Sequence, residues 1–119
     1  MWQSLAQRGY DVELSSASRE YDICAAKKDD VGSFLLLVEC KKWKPDRHVH
    51  VRTVRELHSV VNVRGATAGM VATTSMFTRD AHELQDQLRW QMSLKDFFDI
   101  KRWLRESGRI AQRESTAEA

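Results

Sequence analysis

The sequence predicts an α/β domain in which a mixed central sheet carries helices on both faces, with elements in the order α-β-β-β-α-β. Three observations predict it. Two alternating segments, "YDVELS" and "YDICAA", precede a run, "FLLLVEC", that is apolar at consecutive positions; such a run belongs to a strand covered on both sides. A helical apolar period then takes over from Val49. A second stretch without a polar face, "MVATT", follows it. A three-strand meander continued by a right-handed helical crossover is the arrangement these pieces favour.

Each element has its own signature. "MWQSLAQRG" reads as a short helix with Trp2, Leu5 and Ala6 on one side and Gly9 as its stop. In "YDVELS", Tyr10, Val12 and Leu14 share one face, and "SSASRE" has turn composition. "YDICAA" is the second strand, "KKDDVGS" a hairpin turn, and "FLLLVEC" the central strand. Pro45 breaks the chain before a helix with Val51, Val54, Leu57, Val60 and Val61 on its stripe, closed by "RGATAG". Thr78 caps a short helix from Arg79 to Gln85, with Asp80 in its first turn. "LRWQM" alternates as an edge strand would. Ser93 and Asp96 resemble a capping box for a last helix whose core stripe is Leu94, Phe97, Phe98 and Leu104, with Gly108 as its stop. Residues 1–108 are thus expected to form one domain and residues 109–119 a polar, disordered tail.

A chain of 119 residues with 42% hydrophobic and 30% charged residues is globular rather than disordered. No apolar run approaches the roughly 18 residues of a membrane span, and "MWQSLAQRGYD" lacks the basic-then-apolar order of a signal peptide. Cys24 and Cys40 both fall in strand-like stretches, which favours buried free thiols in a reducing cytoplasm. No zinc-ligand spacing is present. The net charge of +2 says little, but its distribution says more: Lys41, Lys42, Lys44, Arg47, Arg52 and Arg55 face a single acid, Asp46. That strip is either a solvated face or a phosphate-binding surface.

Beside the strip stands the pair in "VECKK". Strand residues two apart share a face, about 6.8 Å apart, so Glu39 and Lys41 point one way and Cys40 the other. Asp22, on the preceding antiparallel strand, can approach Glu39. Two carboxylates with the Cys40 backbone carbonyl make a hard oxygen site suited to Mg²⁺. A lysine beside it can orient an attacking water and offset charge on a phosphoryl group, which fits phosphodiester hydrolysis. The bland alternative is a surface ion pair worth about 0–1 kcal/mol. Trp43, on the same face, either closes the core or stacks on a base or sugar.

These residues resemble a known family. Asp22 followed by Glu39-Cys40-Lys41 looks like the D…(D/E)-x-K signature of the restriction-endonuclease-like nucleases, and more closely the Mrr-type restriction endonuclease domain. The likeness runs through "GYDVELS", "YDICAAKKD", "LLVECKKWK", "VRTVRELHSVV" and "GATAGMVATTSMFTRDA". It implies the restriction-endonuclease-like αβββαβ core and a Mg²⁺-dependent endodeoxyribonuclease, with Mn²⁺ as a substitute. By the same resemblance Asp22, Glu39 and the Cys40 carbonyl bind the metal and Lys41 is the catalytic lysine. Lys42, Lys44, Arg47 and Arg52 are then the DNA-binding strip, and target choice is expected to come from a homodimer, from a fused or separate recognition subunit, or hardly to exist.

Departures from the family are visible too. Relatives carry an acidic residue on a longer first helix, and "MWQSLAQRG" has no acid. They have glycines before the aspartate where this chain has "SSASREY". Glu20, which shares strand parity with Asp22, is one candidate to support the site. Glu56 is another, on the helix where some relatives place a polar residue. A DNA-binding module of the same fold that no longer cleaves, and a structural or interaction domain, are the rival readings.

Overall fold

A computed structural model describes residues 2–15 and 20–118, apart from the side chains of Trp2 and of residues 110–118. Residues 16–19, most of the "SSASRE" turn, lie outside the described residues. The elements are α1 (Trp2–Gln7), β1 (Asp11–Leu14), β2 (Ile23–Lys28), β3 (Ser33–Lys41), α2 (Val51–Arg64), β4 (Ala68–Thr73), α3 (Arg79–Gln87), β5 (Met92–Lys95) and α4 (Phe97–Glu118). The sheet has five strands in the order β1-β2-β3-β4-β5. The first two pairings are antiparallel and the last two parallel, so the meander and both helical crossovers are present.

β3 is the middle strand, and its parity divides the core. Leu37 faces α2 and α3, packing with Val54, Leu57, Val61, Ala81 and Met92. Leu36 and Val38 face the other side with Leu5, Ile23, Ala25 and Met70, where Trp103 of α4 joins them. The "FLLLV" run is therefore apolar at every position because each parity meets a helical layer. α2 ends where Gly65 takes φ 65°, a left-handed conformation that glycine adopts without penalty, and donates to the Asn62 and Val61 carbonyls.

Gly69 lets α2 lie close against β4. A Cβ there would stand 2.8 Å from Val61 Cγ2, 3.0 Å from Met92 Sδ and 3.2 Å from a Leu57 methyl. Val61 is fully buried and stiff at its β-branch, so it has little room to give. Gly69→Ala is expected to destabilise the domain by about 1–3 kcal/mol through overpacking. A urea midpoint equal to that of the parent would contradict this.

Several sequence expectations need correction. In α1 the inward residues are Ser4 and Leu5, at 2% and 1% exposure, and Ala6 faces solvent. "LRWQM" is not the edge strand: residues 88–91 form a turn and the edge strand is Met92–Lys95. Trp90, 85% exposed, lies in that turn, so the alternating Leu88, Trp90 and Met92 do not share a buried face. The capping box exists but sits three residues later. The Asp96 N–H donates to Asp99 Oδ2 and the Asp99 N–H to Asp96 Oδ1, while Ser93 lies within β5.

With the start of α4 displaced, its core stripe changes. Ile100, Trp103 and Ser107 turn inward, whereas Phe97, Phe98 and Leu104 are 44%, 62% and 52% exposed. Ser107 donates to the buried Ser4 hydroxyl and accepts from Arg8, which joins α4 to α1. Gly108 does not stop the helix, which runs to Glu118 through the segment expected to be a tail. No helix of the described residues is long and apolar enough to cross a membrane.

Candidate active site

The C-terminal end of β3 brings the proposed site together. The register pairs Ile23 with Val38, so one further step sets Asp22 opposite Glu39. The Asp22 N–H still donates to the Val38 carbonyl at 2.8 Å, although β2 proper begins at Ile23. Its side chain then takes over from the ladder: Asp22 Oδ2 accepts the Cys40 N–H at 2.7 Å. That bond fixes the carboxylate against the Glu39–Cys40 peptide. Because the N–H and C=O of one strand residue project to the same edge, the Cys40 carbonyl opens toward Asp22 as well.

On the α2 face, Lys41 Nζ lies 2.9 Å from Glu39 Oε1, with only 29% and 16% of the two side chains exposed. Partial burial of both partners separates this pair from the exposed i,i+4 pairs of α2 and α3. Arg52–Glu56 and Arg79–Glu83 are 87%/62% and 91%/60% exposed, the range in which an ion pair contributes little. Asp22 Oδ1 and Glu39 Oε2 make no hydrogen bond or ion pair among the described residues. Two carboxylates and a carbonyl thus offer oxygen donors of the kind a hard divalent cation takes. No set of three His, Cys, Asp or Glu side chains gathers to hold a metal among the described residues, so the backbone oxygen matters to the fit.

The Cys40 thiol lies on the other face of the strand from Glu39 and Lys41. Its side chain packs with the α1/α4-side core, as its parity requires. Burial and then the Asp22 charge push its thiol pKa up, which keeps it protonated and poorly nucleophilic at neutral pH. Cys24 is also free, its pKa raised by burial and by Glu13.

The basic strip is not uniform. Lys42, Lys44 and Arg47 are exposed. Lys42 borders a pocket of about 160 Å³ that is lined also by Cys40, Lys41, Ala72, Thr73, Thr74 and Ile100. Arg47 lies over the Trp43 ring, 4.0 Å from its centroid, and Lys41 Nζ is 5.6 Å from the same ring. Trp43 meanwhile packs against the α2-side core, so it closes the core and carries cations at once. Arg52 is occupied by Glu56 at 2.9 Å. Glu20 accepts two hydrogen bonds from Arg64, at 3.0 and 2.7 Å, and His58 is tied to Gln91 at 2.9 Å.

One group of residues escaped sequence reasoning. Thr73 Oγ1 donates to the Lys41 carbonyl at 2.8 Å, Thr74 Oγ1 to Trp43 at 2.8 Å, and Ser75 Oγ to Pro45 at 3.1 Å. Consecutive hydroxyls thereby hold alternate carbonyls of the segment after the motif. The available signal was "TTS" ending a strand that is otherwise wholly apolar, where three hydroxyls in a row need partners.

Comparisons with known proteins bear on the fold and the family. The structure of AspBHI, a DNA modification-dependent restriction endonuclease, superposes with a TM-score of 0.71 at 20% identity, over 89% of this chain and 30% of that one. The MspJI restriction endonuclease, solved in complex with a 27-mer oligonucleotide, gives 0.64 at 18% identity, over 87% and 27%. AF1548, a protein of unknown function, gives 0.71 at 14% identity, over 89% and 62%. The chain therefore spans under a third of the length of the first two, and likeness at these identities establishes the fold. No curated protein sequence matches. The Mrr catalytic family profile, described as restriction endonuclease, matches residues 1–104, and the chain belongs to that family.

Proposed function

We propose that this chain is a divalent-metal-dependent endodeoxyribonuclease domain that hydrolyses DNA phosphodiester bonds. The observation that carries the reading is the Asp22 carboxylate fastened to the Cys40 N–H beside the half-buried Glu39–Lys41 pair. Asp22, Glu39 and the Cys40 carbonyl would hold Mg²⁺, or Mn²⁺ in its place. When bound, the ion supplies a Lewis acid for the phosphate and lowers the pKa of a coordinated water. Lys41, kept in place by Glu39, orients the nucleophilic water and offsets charge on the phosphoryl oxygens. Lys42, Lys44, Arg47 and Arg52 bind the backbone without reading bases. Target choice comes from a second copy, from a fused or separate recognition partner, or hardly exists.

The test is incubation of supercoiled plasmid with Mg²⁺, Mn²⁺, Ca²⁺ or chelator, with binding followed in Ca²⁺. Nicking or linearisation only with Mg²⁺ or Mn²⁺ supports the proposal. Binding without cleavage would leave a DNA-binding module, and neither result would leave an interaction domain. Binding should also be steep in salt, with log K against log salt falling by about 0.9 per phosphate contact. Replacing Lys44 and Arg47 together by alanine is expected to flatten that slope by about one to two units. A parental slope near zero would reduce the strip to a solvated face.

A further inference from the structure

Arg47 differs in kind from the rest of the basic strip. Arg52 shares its charge with Glu56, whereas Arg47 has no ion-pair partner among the described residues. Its guanidinium lies instead over the Trp43 ring, 4.0 Å from the centroid. A guanidinium laid on a ring keeps its N–H fork free, and that fork fits two phosphate oxygens at once. The backbone beneath it is fixed as well. The Arg47 N–H donates to Lys44 O at 2.9 Å, Thr74 Oγ1 and Ser75 Oγ hold the Trp43 and Pro45 carbonyls, and the Val49 N–H donates to Met76 O at 2.9 Å. The same indole stands 5.6 Å from Lys41 Nζ, the lysine paired with Glu39.

From this geometry we infer a second phosphate-binding site beside the cleavage site. Arg47 clamps the phosphodiester next to the one attacked beside Lys41, and Trp43 is the positioning residue that sets the distance between the two cations. The inference rests on the nuclease reading and gives it a path: the DNA backbone runs between Lys41 and Arg47 across the indole. Lys44, exposed and unstacked, contributes charge without a fixed direction.

The test compares Arg47→Lys, Arg47→Ala, Trp43→Phe, Trp43→Leu and Arg47→Ala/Trp43→Leu. Duplex binding is read in Ca²⁺, single-turnover cleavage in Mn²⁺, and thermal midpoints for all. Arg47→Lys keeps the charge but loses the planar fork, and is expected to lose roughly tenfold in binding, and in cleavage at subsaturating protein. Trp43→Leu, which keeps apolar mass against the core, should lose about as much, while Trp43→Phe should retain most of both activities. The double variant should be no worse than Trp43→Leu alone, because both changes remove one clamp. Parental behaviour of Arg47→Lys, or additive losses in the double variant, would overturn the inference. A Trp43→Phe variant as impaired as Trp43→Leu at an unchanged midpoint would also overturn it. If the parent binds DNA without cleaving, the nuclease reading fails while the binding arm still decides this site. If the parent binds no DNA, both fall together.

Discussion

Lys41→Ala is expected to slow single-turnover cleavage by about 10²-fold or more, the scale on which positioned acid–base and electrostatic groups act. Lys42→Ala should cost far less in cleavage and show itself as weaker binding. The two lysines are neighbours of identical charge, so an effect of net charge alone would be the same for both. What separates them is position. Lys41 Nζ is 2.9 Å from Glu39 on the α2 face, and its carbonyl is held by Thr73, whereas Lys42 is exposed and pairs with no carboxylate among the described residues. Removing Lys41 frees Glu39 from its only ion-pair partner among the described residues without taking a carboxylate from the site. Metal affinity should therefore persist while the rate falls. Mild and equal losses in the two variants, measured at saturating protein, would mean that Glu39–Lys41 is a surface ion pair and no more.

The centre of the fold was legible because burial on two faces makes a strand apolar at consecutive positions, and the runs are too short for buried helices. "FLLLVEC" was expected as a strand covered on both faces and "MVATT" as one without a polar face, and they form the neighbouring inner strands β3 and β4. The helix between them was legible by its period, and Val54, Leu57 and Val61 are its buried residues. The C-terminal third was not legible in detail. There, the last strand is four residues long and only half covered, so no alternation of useful length exists. Its neighbour Trp90 is exposed, and Phe97 and Phe98 are partly exposed, so large apolar side chains gave the wrong face. Asp96 and Asp99, reciprocally bonded, decided the start of α4 where Ser93 was expected to.

The site was legible in part for a different reason. Strand parity alone puts Glu39, Lys41 and Trp43 on one face and Cys40 on the other, and the core clusters follow that division. The approach of Asp22 needed pairing information, and the hairpin length carried it. Parity could not show that Asp22 would leave the ladder and bond the Cys40 N–H through its side chain, because that depends on where β2 stops. Nor could it find the Thr73, Thr74 and Ser75 hydroxyls, which act across a parallel pairing some 30 residues away in sequence. Arg52 was read from charge alone, and only the structure shows its guanidinium bonded to Glu56.

Asp22→Asn should abolish cleavage while leaving the fold in place, and the reason lies in how Asp22 is held. Its Oδ2 accepts the Cys40 N–H at 2.7 Å. An asparagine oxygen accepts the same bond, so the end of β3 stays tied to β2 and the thermal midpoint should move little. Asp22→Ala, by contrast, leaves that N–H without its acceptor, at a cost of about 1–3 kcal/mol if no water replaces it. What asparagine cannot supply is the charge. Loss even of a residue that merely supports a metal ligand typically costs 10–100-fold in affinity, so losing a ligand's charge should lower Mn²⁺ affinity by at least about tenfold. Cleavage should fall by roughly 10³-fold or more, the upper range for removing a group that stabilises the transition state. Titration calorimetry with Mn²⁺, beside a melting curve, reads the two effects separately. An Asp22→Asn protein that melts like the parent and binds Mn²⁺ equally well would remove Asp22 from the site. The Cys40 bond would then be only the last rung of the β2–β3 ladder.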